Sequence, residues 1–222
     1  MCEKVYALFT TVTCLEWKPI LENDREKRIV VESMRFLVND ERVRIFAFVI
    51  MLNHFHLIWQ MRQNHDREGE QRNFLKFTGQ QILKNLRNNR SALLDELFVQ
   101  AKDRKFQVWE RNSLSVPLWS LKVFDQKLEY FHRNPVKAGL CEFPEDYYYS
   151  SAGFYIKNEK NWDFLIHLEG NGANGTSGLR TLVAEEHRQG LSVSRGFVRN
   201  QFGYGSGKSM FWTLIDFGNN VA

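Results

Sequence analysis

The chain has 222 residues, 43% hydrophobic and 14% aromatic, which is enough apolar material for the core of one ordinary domain. Its net charge of +4 permits a polyanionic partner but does not require one. Three scattered cysteines (Cys2, Cys14 and Cys141) argue against a disulfide framework or a cysteine zinc site. No stretch approaches the roughly 18 apolar residues of a membrane helix. We therefore expect a protein of the reducing cytoplasm, with no membrane partner.

The first part of the chain predicts three strands and a helix. The segment from Val5 to Thr13 is rich in β-branched and aromatic residues, as strands are. Apolar residues then recur at helical spacing from about Arg25 to Val38. The segments Val43 to Met51 and His54 to Met61 are two further strands. Because only two residues separate them, a tight antiparallel hairpin is predicted.

The next part predicts a helix, a strand and a second helix. A polar loop covers 63–71, and an amphipathic helix runs from Phe74 to Arg90. A short strand is expected around Phe106 to Glu110 and a helix from about Val123 to Arg133. The order strand, helix, strand, strand, helix, strand, helix is typical of an α+β fold. It predicts an antiparallel sheet with helices on one face.

The composition changes after His167. Ten of the fourteen glycines lie from Gly170 onward, whereas all four prolines lie before position 145. The run from Gly170 to Gly178 is typical of a flexible linker. We therefore divide the chain into a core at 1–168 and a glycine-rich tail of unknown role at 169–222.

The helix after the polar loop is basic. No acidic residue occurs between Gln71 and Leu94, and a one-signed face attracts a phosphate backbone. An ordinary solvated face is the alternative interpretation. The basic residues of this helix are Arg72, Lys76, Lys84, Arg87 and Arg90, and the candidates that extend the surface are Lys102, Arg104 and Lys105.

Two histidines on the third predicted strand are candidate metal ligands. Side chains alternate along a strand, so His54 and His56 share one face and Phe55 points into a core. Two imidazoles on a rigid surface form a bidentate metal platform. The alternative is a pair of hydrogen-bonded structural histidines in an ordinary sheet.

A candidate nucleophile lies near the end of the last predicted helix. Tyr130 and Asn134 are four residues apart, so both can project from one helical face. This would place a phenol beside an amide oxygen able to complete a metal site. Pro135 disfavours helical angles at Asn134, which puts this residue at a kink or at the helix end. A tyrosine on an amphipathic helix is otherwise usually part of a core.

Two sequence blocks resemble the single-tyrosine HUH transposase family, which includes the REP-associated tyrosine transposases. The segment Val49 to Trp59, VIMLNHFHLIW, is similar to the histidine-hydrophobe-histidine strand of that family. The segment Tyr130 to Leu140, YFHRNPVKAGL, followed by PEDY at 144–147 and YSSA at 149–152, resembles its tyrosine helix and following turn. The resemblance covers the core from about Val5 to His167. Two departures are Leu52, where proline or serine is common, and the tail.

The resemblance implies a ferredoxin-like or RRM-like sheet and a specific chemistry. His54, His56 and Asn134 match the family's metal ligands, for Mg²⁺ or Mn²⁺, and Tyr130 matches its nucleophile. The implied activity is nicking and rejoining of single-stranded DNA through a 5′-phosphotyrosine, at or near DNA hairpins. Family members occur as monomers or homodimers, and both states stay open for this chain.

Other hypotheses remain at this point. A rolling-circle replication initiator or plasmid relaxase would use the same metal and tyrosine chemistry, although the NPVKAG sequence after the tyrosine helix favours the transposases. A different class is a non-catalytic, RRM-like binder of single-stranded nucleic acid, in which the histidines are structural. A domesticated, inactive relative is a third hypothesis.

Overall fold

A computed structural model describes residues 6–168, so the predicted tail at 169–222 lies outside the described residues. The strands are β1 (Ala7–Thr13), β2 (Val43–Ile50), β3 (His54–Met61), β4 (Phe98–Ala101), β5 (Arg104–Phe106) and β6 (Leu114–Leu118). The α-helices are α1 (Asp24–Asn39), α2 (Arg67–Asn88), α3 (Leu93–Glu96), α4 (Leu121–His132), α5 (Asn134–Lys137) and α6 (Ala152–Ile156). Two 3₁₀ turns lie at Leu15–Trp17 and Pro144–Asp146.

Four of the strands form one antiparallel sheet in the order β2-β3-β1-β6. This is the strand order of a ferredoxin-like βαββαβ unit, with β4 and β5 forming a separate hairpin. The predicted fold class is confirmed. Because β3 lies inside the sheet, His56 has a neighbour on each side, Thr11 in β1 and Val49 in β2.

Helices cover both faces of this sheet. The helices α1 and α2 lie on one face, as predicted, and bury Met34 and Ile82 in the same core as Trp59. The opposite face is also apolar, and α4 packs against it with Phe124 and Leu128 buried in a second cluster. The prediction of helices on one face thus holds for the βαββαβ unit, whereas α4 follows the last strand and covers the second face.

The helix α2 begins earlier than the sequence pattern indicated. Residues 67–71 were expected to be loop, yet the helix begins at Arg67. The carboxylate of Asp66 accepts a hydrogen bond from the Gly69 backbone N–H (2.7 Å), which is an N-cap contact. Glu68 and Glu70 in the first turn also suit the positive end of the helix dipole. Capping therefore extends the helix beyond its apolar stripe.

The fourth strand of the sheet was predicted at the wrong place. The segment Phe106 to Glu110 was expected to form the fourth strand, but the strand that pairs with β1 at this edge is β6. Residues 104–106 instead pair with β4 in the separate hairpin. The strand β6 contains Pro117, which cannot donate to a ladder and is tolerated because β6 is an edge strand.

The other edge of the sheet, β2, is covered by the chain that follows α5. Backbone N–H groups of Ile50 and Ser151 donate to carbonyls of Tyr149 and Phe48, respectively, so this segment runs along β2. Pairing of this kind satisfies an edge that would otherwise stay open. Within residues 6–168, no helix has the length and apolar character needed to cross a membrane.

Candidate active site

The two predicted ligand histidines lie side by side on β3. The ring centroids of His54 and His56 are 5.0 Å apart, and both side chains project to the sheet face that α4 covers. Phe55 between them points to the other face, where its ring contacts those of Phe74 and Trp109. Strand alternation thus separates the polar pair from the main core.

The Nδ1 atom of each histidine has a hydrogen-bond partner. Nδ1 of His54 lies 2.8 Å from the amide oxygen of Asn53, and Nδ1 of His56 lies 2.8 Å from the hydroxyl of Thr11. An amide oxygen only accepts, so the Nδ1 of His54 donates. A proton on Nδ1 leaves the lone pair on Nε2, and contacts of this type orient ligand histidines. Thr11 was not singled out from the sequence, because its role depends on the β1–β3 register.

Both histidines are neutral at physiological pH. Burial lowers the pKa of His54 from 6.5 to about 4. Burial also lowers the pKa of His56, to about 3, and the nearby His54 and Lys127 lower it further. A neutral imidazole is the form that ligates a cation. The environment therefore keeps both rings ready for ligation.

Tyr130 reaches the same place from α4. Its ring centroid is 5.8 Å from that of His56, although 74 residues separate them in sequence. The helix docks through Phe124, Leu128 and Phe131, which recur at i, i+4 and i+7. Tyr130 lies beside this stripe and is 36% exposed, so part of the residue is accessible from solvent. Burial of the ring raises the pKa of the phenol above 10, so the phenol is protonated at neutral pH.

The end of α4 is tied to the edge strand β2. His132 is fully buried, and its Nε2 lies 2.7 Å from the hydroxyl oxygen of Ser151. The same oxygen accepts from the backbone N–H of Phe48 and lies 3.2 Å from its carbonyl. These contacts fix the helix two residues after Tyr130 and thereby help to position the phenol.

Asn134 does not share the helix of Tyr130. As the proline suggested, α4 ends at His132, and Asn134 begins the one-turn helix α5 with Pro135 in its first turn. Arg133 between the two helices keeps right-handed helical angles (φ −80°, ψ −11°), so the chain continues in nearly the same course. Asn134 therefore follows Tyr130 by about one turn. Its role as a ligand stays a prediction.

Two lysines next to Tyr130 were missed by sequence reasoning. The Nζ atoms of Lys127 and Lys137 lie 6.0 and 5.5 Å from the centroid of the Tyr130 ring. Lys127 Nζ also lies 5.1 Å from the centroid of Phe9, which stacks on His56. The signal was present, because the lysines are three residues before and seven after Tyr130, the spacing of one helical face.

Five of the predicted DNA-binding residues line grooves beside α2. Arg72, Lys76 and Arg104 line a groove of about 840 Å³ between α2 and the segment from β5 to β6. Arg87 and Lys105 line an adjoining groove of about 330 Å³. The remaining three residues are exposed and lie outside these two linings: Lys84, Arg90 and Lys102.

This basic surface and the histidine pair lie on opposite faces of the sheet, because α2 packs on the Phe55 side. The structure therefore separates the predicted DNA-binding residues from Tyr130. Arg104 forms an ion pair with Asp103 (2.6 Å), which reduces its availability to a phosphate.

Trp109 and Trp119 have different environments, which decides whether either could stack on a base. Trp109 is 7% exposed, and its Nε1–H donates to the hydroxyl of Thr78 (3.1 Å), so Trp109 belongs to the core. Trp119 is 67% exposed and packs edge-on against Tyr6, with centroids 4.6 Å apart. Trp119 is therefore the candidate that a base can reach.

The donor set at the histidine pair is limited. Within residues 6–168, no group of three or more His, Cys, Asp or Glu side chains is arranged to hold a metal ion. Two neutral imidazoles fit a divalent cation only when oxygen atoms complete its coordination. An amide oxygen, water or a phosphate oxygen of a bound strand has the required chemistry.

Comparison with known proteins relates the chain to transposases by fold. No protein-family profile matches the sequence, and no curated protein matches it. A solved structure described as a REP-associated tyrosine transposase bound to a REP hairpin is similar, with a TM-score of 0.51 and 15% identity, over 78% of this chain and 90% of that chain. A putative transposase from Deinococcus radiodurans gives a TM-score of 0.40 and 10% identity, over 60% of this chain and 95% of that chain. At 15% identity, the likeness to the first structure shows a shared fold.

Proposed function

We propose that the chain is a metal-dependent enzyme that nicks and rejoins single-stranded DNA at or near hairpins, with Tyr130 as the nucleophile. One observation carries this proposal. Tyr130, His54 and His56 come from a helix and a strand far apart in sequence, yet their rings form one cluster on one face of the sheet. The similar structure was solved with a hairpin bound, which supports the same class of substrate here.

The histidine pair supplies the cation site of this proposal. His54 and His56 would hold Mg²⁺ or Mn²⁺ through Nε2, with Asn134 as the third ligand. When bound, the ion supplies positive charge to the nonbridging oxygens of the scissile phosphate. Thr11 and Asn53 orient the rings, and burial keeps the rings neutral.

Tyr130 performs the covalent step. Its phenol oxygen attacks phosphorus, a bond from the tyrosine oxygen to phosphorus forms, and the bond from phosphorus to the 3′-oxygen breaks. The phenol proton leaves, and the departing 3′-oxygen takes up a proton to give a 3′-hydroxyl. The resulting 5′-phosphotyrosine retains the energy of the phosphodiester. A second 3′-hydroxyl reverses the step, joins the strands and frees the phenol.

The basic surface of α2 supplies binding distant from the cut. Arg72, Lys76 and Arg87 form no ion pair with another described side chain, so their charges are available to phosphates. Because this surface faces away from Tyr130, it would contact DNA that flanks the cleaved segment. We expect these three side chains to contribute affinity without changing the rate of cleavage.

A non-catalytic binding module is the second candidate function. One observation favours it: both histidines have hydrogen-bond partners of the kind that structural histidines have. Such a module would bind single-stranded nucleic acid without metal dependence and would form no covalent adduct.

A cleavage assay separates these functions. A panel of single-stranded hairpin oligonucleotides is incubated with Mn²⁺, Mg²⁺ or EDTA, because the target sequence is unknown. A 3′ label reports the protein–DNA adduct, since the 5′-phosphotyrosine stays on the 3′ fragment. A 5′ label reports the released fragment with its 3′-hydroxyl. The matched controls are Tyr130→Phe, which removes only the hydroxyl, and His56→Gln.

A metal-dependent adduct that is lost in both variants is the expected result. Tyr130→Phe should still bind the oligonucleotide as the wild type does. Binding that is indifferent to metal and to His56→Gln, with no adduct on any hairpin, would instead support the binding module.

A further inference from the structure

We propose that Lys127 and Lys137 are phosphate-binding residues that hold the DNA strand across Tyr130, Lys127 at the scissile phosphate and Lys137 at its neighbour. This inference rests on the proposed function and specifies how the substrate is bound there. It adds two cationic side chains to a site whose other members are neutral.

Lys127 lies beside the rings of Phe9 and Tyr130. Its Nζ is 5.1 Å from the centroid of Phe9 and 6.0 Å from that of Tyr130. Phe9 stacks on His56 with centroids 5.4 Å apart, so the ammonium group is one ring away from the histidine pair. The side chain of Lys127 is half-buried. Because less water surrounds its charge, the charge attracts a bound anion more strongly than a fully exposed lysine would. A phosphate at the Tyr130 hydroxyl would meet this charge.

Lys137 also contacts the ring of Tyr130, but it belongs to α5, the short helix that follows α4. It is the last residue of α5, and its Nζ lies 5.5 Å from the Tyr130 centroid. The backbone N–H of Lys137 donates to the carbonyl of Arg133 (3.0 Å), so the turn that carries it is anchored to the end of α4. Lys137 is exposed, which suits contact with a phosphate outside the cleaved linkage.

Both ammonium groups are available to an anion. Neither lysine forms an ion pair with a carboxylate among residues 6–168; the nearby Glu129 instead pairs with Arg133 (3.4 Å). A lysine carries a compact charge with three donors and no acceptor, which matches phosphate oxygens and not metal ions. The chemistry of the pair therefore selects the polyanionic strand as its ligand.

The role of each lysine follows from its position. Lys127 would contact the phosphate whose charge increases during attack, so it would act on the rate of the covalent step. Lys137 would contact an unreacting phosphate, so it would act on binding. Substitution of Lys127 should consequently lower the maximal adduct rate, and substitution of Lys137 should raise the DNA concentration at half-saturation.

The experiment compares Lys127→Gln, Lys127→Arg, Lys137→Gln and Lys122→Gln. Lys122 is the matched control, since it is an exposed lysine on the same helix and not in the ring cluster. The first readout is the affinity for a fluorescent 20-nucleotide oligothymidine in EDTA, measured by anisotropy across a range of salt concentrations. The second readout is the adduct rate against the concentration of a cleavable hairpin.

Each phosphate contact that is lost should reduce the salt slope, log K against log [salt], by about 0.7. We expect that loss for Lys127→Gln and Lys137→Gln but not for Lys122→Gln. Lys127→Gln should lower the maximal adduct rate by about 10-fold or more, and Lys127→Arg should restore most of it. Lys137→Gln should raise the half-saturating DNA concentration with a nearly unchanged maximal rate.

The inference is overturned if both glutamine variants keep the wild-type salt slope and rate, as packing of the lysine stems against Tyr130 alone would give. Failure of the proposed function is a separate result. In that case the wild type forms no adduct, while the salt slopes in EDTA still test whether the pair binds phosphate.

Discussion

The two faces of the sheet differ in what they contribute. The face under α1 and α2 is lined by large apolar side chains, with Phe55 and Trp59 fully buried. The face under α4 has a smaller apolar cluster, and beside it lie the histidine pair and Tyr130. The same strand, β3, supplies Phe55 to one face and His56 to the other.

Under the proposed function, this arrangement would separate stability from chemistry at the level of single residues. A rigid position for His56 requires a well-packed strand, and the main core supplies that packing from behind. The polar side chains then need only a small cluster and a few hydrogen bonds on their own face. Substitution of Phe55 should therefore mainly lower stability, whereas substitution of its neighbour His56 should mainly remove activity.

The largest expected effect on stability is on the main-core face. Phe55→Ala should lower the free energy of unfolding by about 3–5 kcal/mol, because it leaves a cavity among buried rings. His56→Gln should cost less than half of that, because glutamine is polar and similar in length. The measurement is urea unfolding at pH 7 in EDTA. An equal loss in both variants would contradict the division between the faces.

The same pair should behave oppositely in DNA chemistry. His56→Gln should abolish metal-dependent adduct formation, whereas Phe55→Ala should keep it in proportion to the folded fraction. Mn²⁺ titration of each variant provides the control, since only His56→Gln removes a proposed ligand.

The second expected effect is a pH dependence of the folding stability, caused by the buried His56 on the face under α4. The pKa of His56 is about 3 in the fold, and that of an unperturbed histidine is 6.5, so the unfolded chain binds a proton that the folded chain excludes. Its contribution to stability is fully present above pH 6.5 and is lost as pH falls toward 3. Between pH 7 and pH 4.5 the loss should be about 2.5 kcal/mol.

Urea unfolding between pH 7 and 4.5, in EDTA, checks this expectation. Carboxylates also titrate in this range, so His56→Gln is the reference. The stability of the wild type should fall more steeply than that of His56→Gln. Parallel curves for the two proteins would show that burial of the imidazole has no such linkage.

Sequence patterns predicted the sheet better than its surroundings. The bounds of β3 were predicted correctly, since a short apolar and aromatic run between Asn53 and the polar loop that follows identifies a buried strand. The strand β6 was missed because it is short, contains Pro117 and is recognised only by its pairing with β1. The start of α2 was missed because its first turn is specified by Asp66 and by no apolar residue.

The candidate site, like the fold, has features that the sequence predicted and features that it did not. The spacing of His54 and His56 was sufficient to place both on one face, because strand alternation is a local rule. The contact of Thr11 with His56 depends on the register of two strands, which the sequence does not specify locally. The proximity of Lys127 to Phe9 also required the docking of α4 on the sheet.

The smallest expected effect compares the caps of the helices on the two faces. Asp66 accepts from Gly69 N–H at 2.7 Å at the start of α2, and Ser120 accepts from Val123 N–H at 3.3 Å at the start of α4. Asp66→Ala should cost about 1 kcal/mol, and Ser120→Ala about 0.5 kcal/mol, because its bond is longer. Neither should change the adduct rate, since Asp66 caps a helix on the other sheet face and Ser120 lies at the opposite end of α4 from Tyr130. Urea unfolding and the adduct assay measure the two quantities, and a slower adduct rate in Ser120→Ala would mean that the whole of α4, and not only its His132 end, sets the position of the phenol.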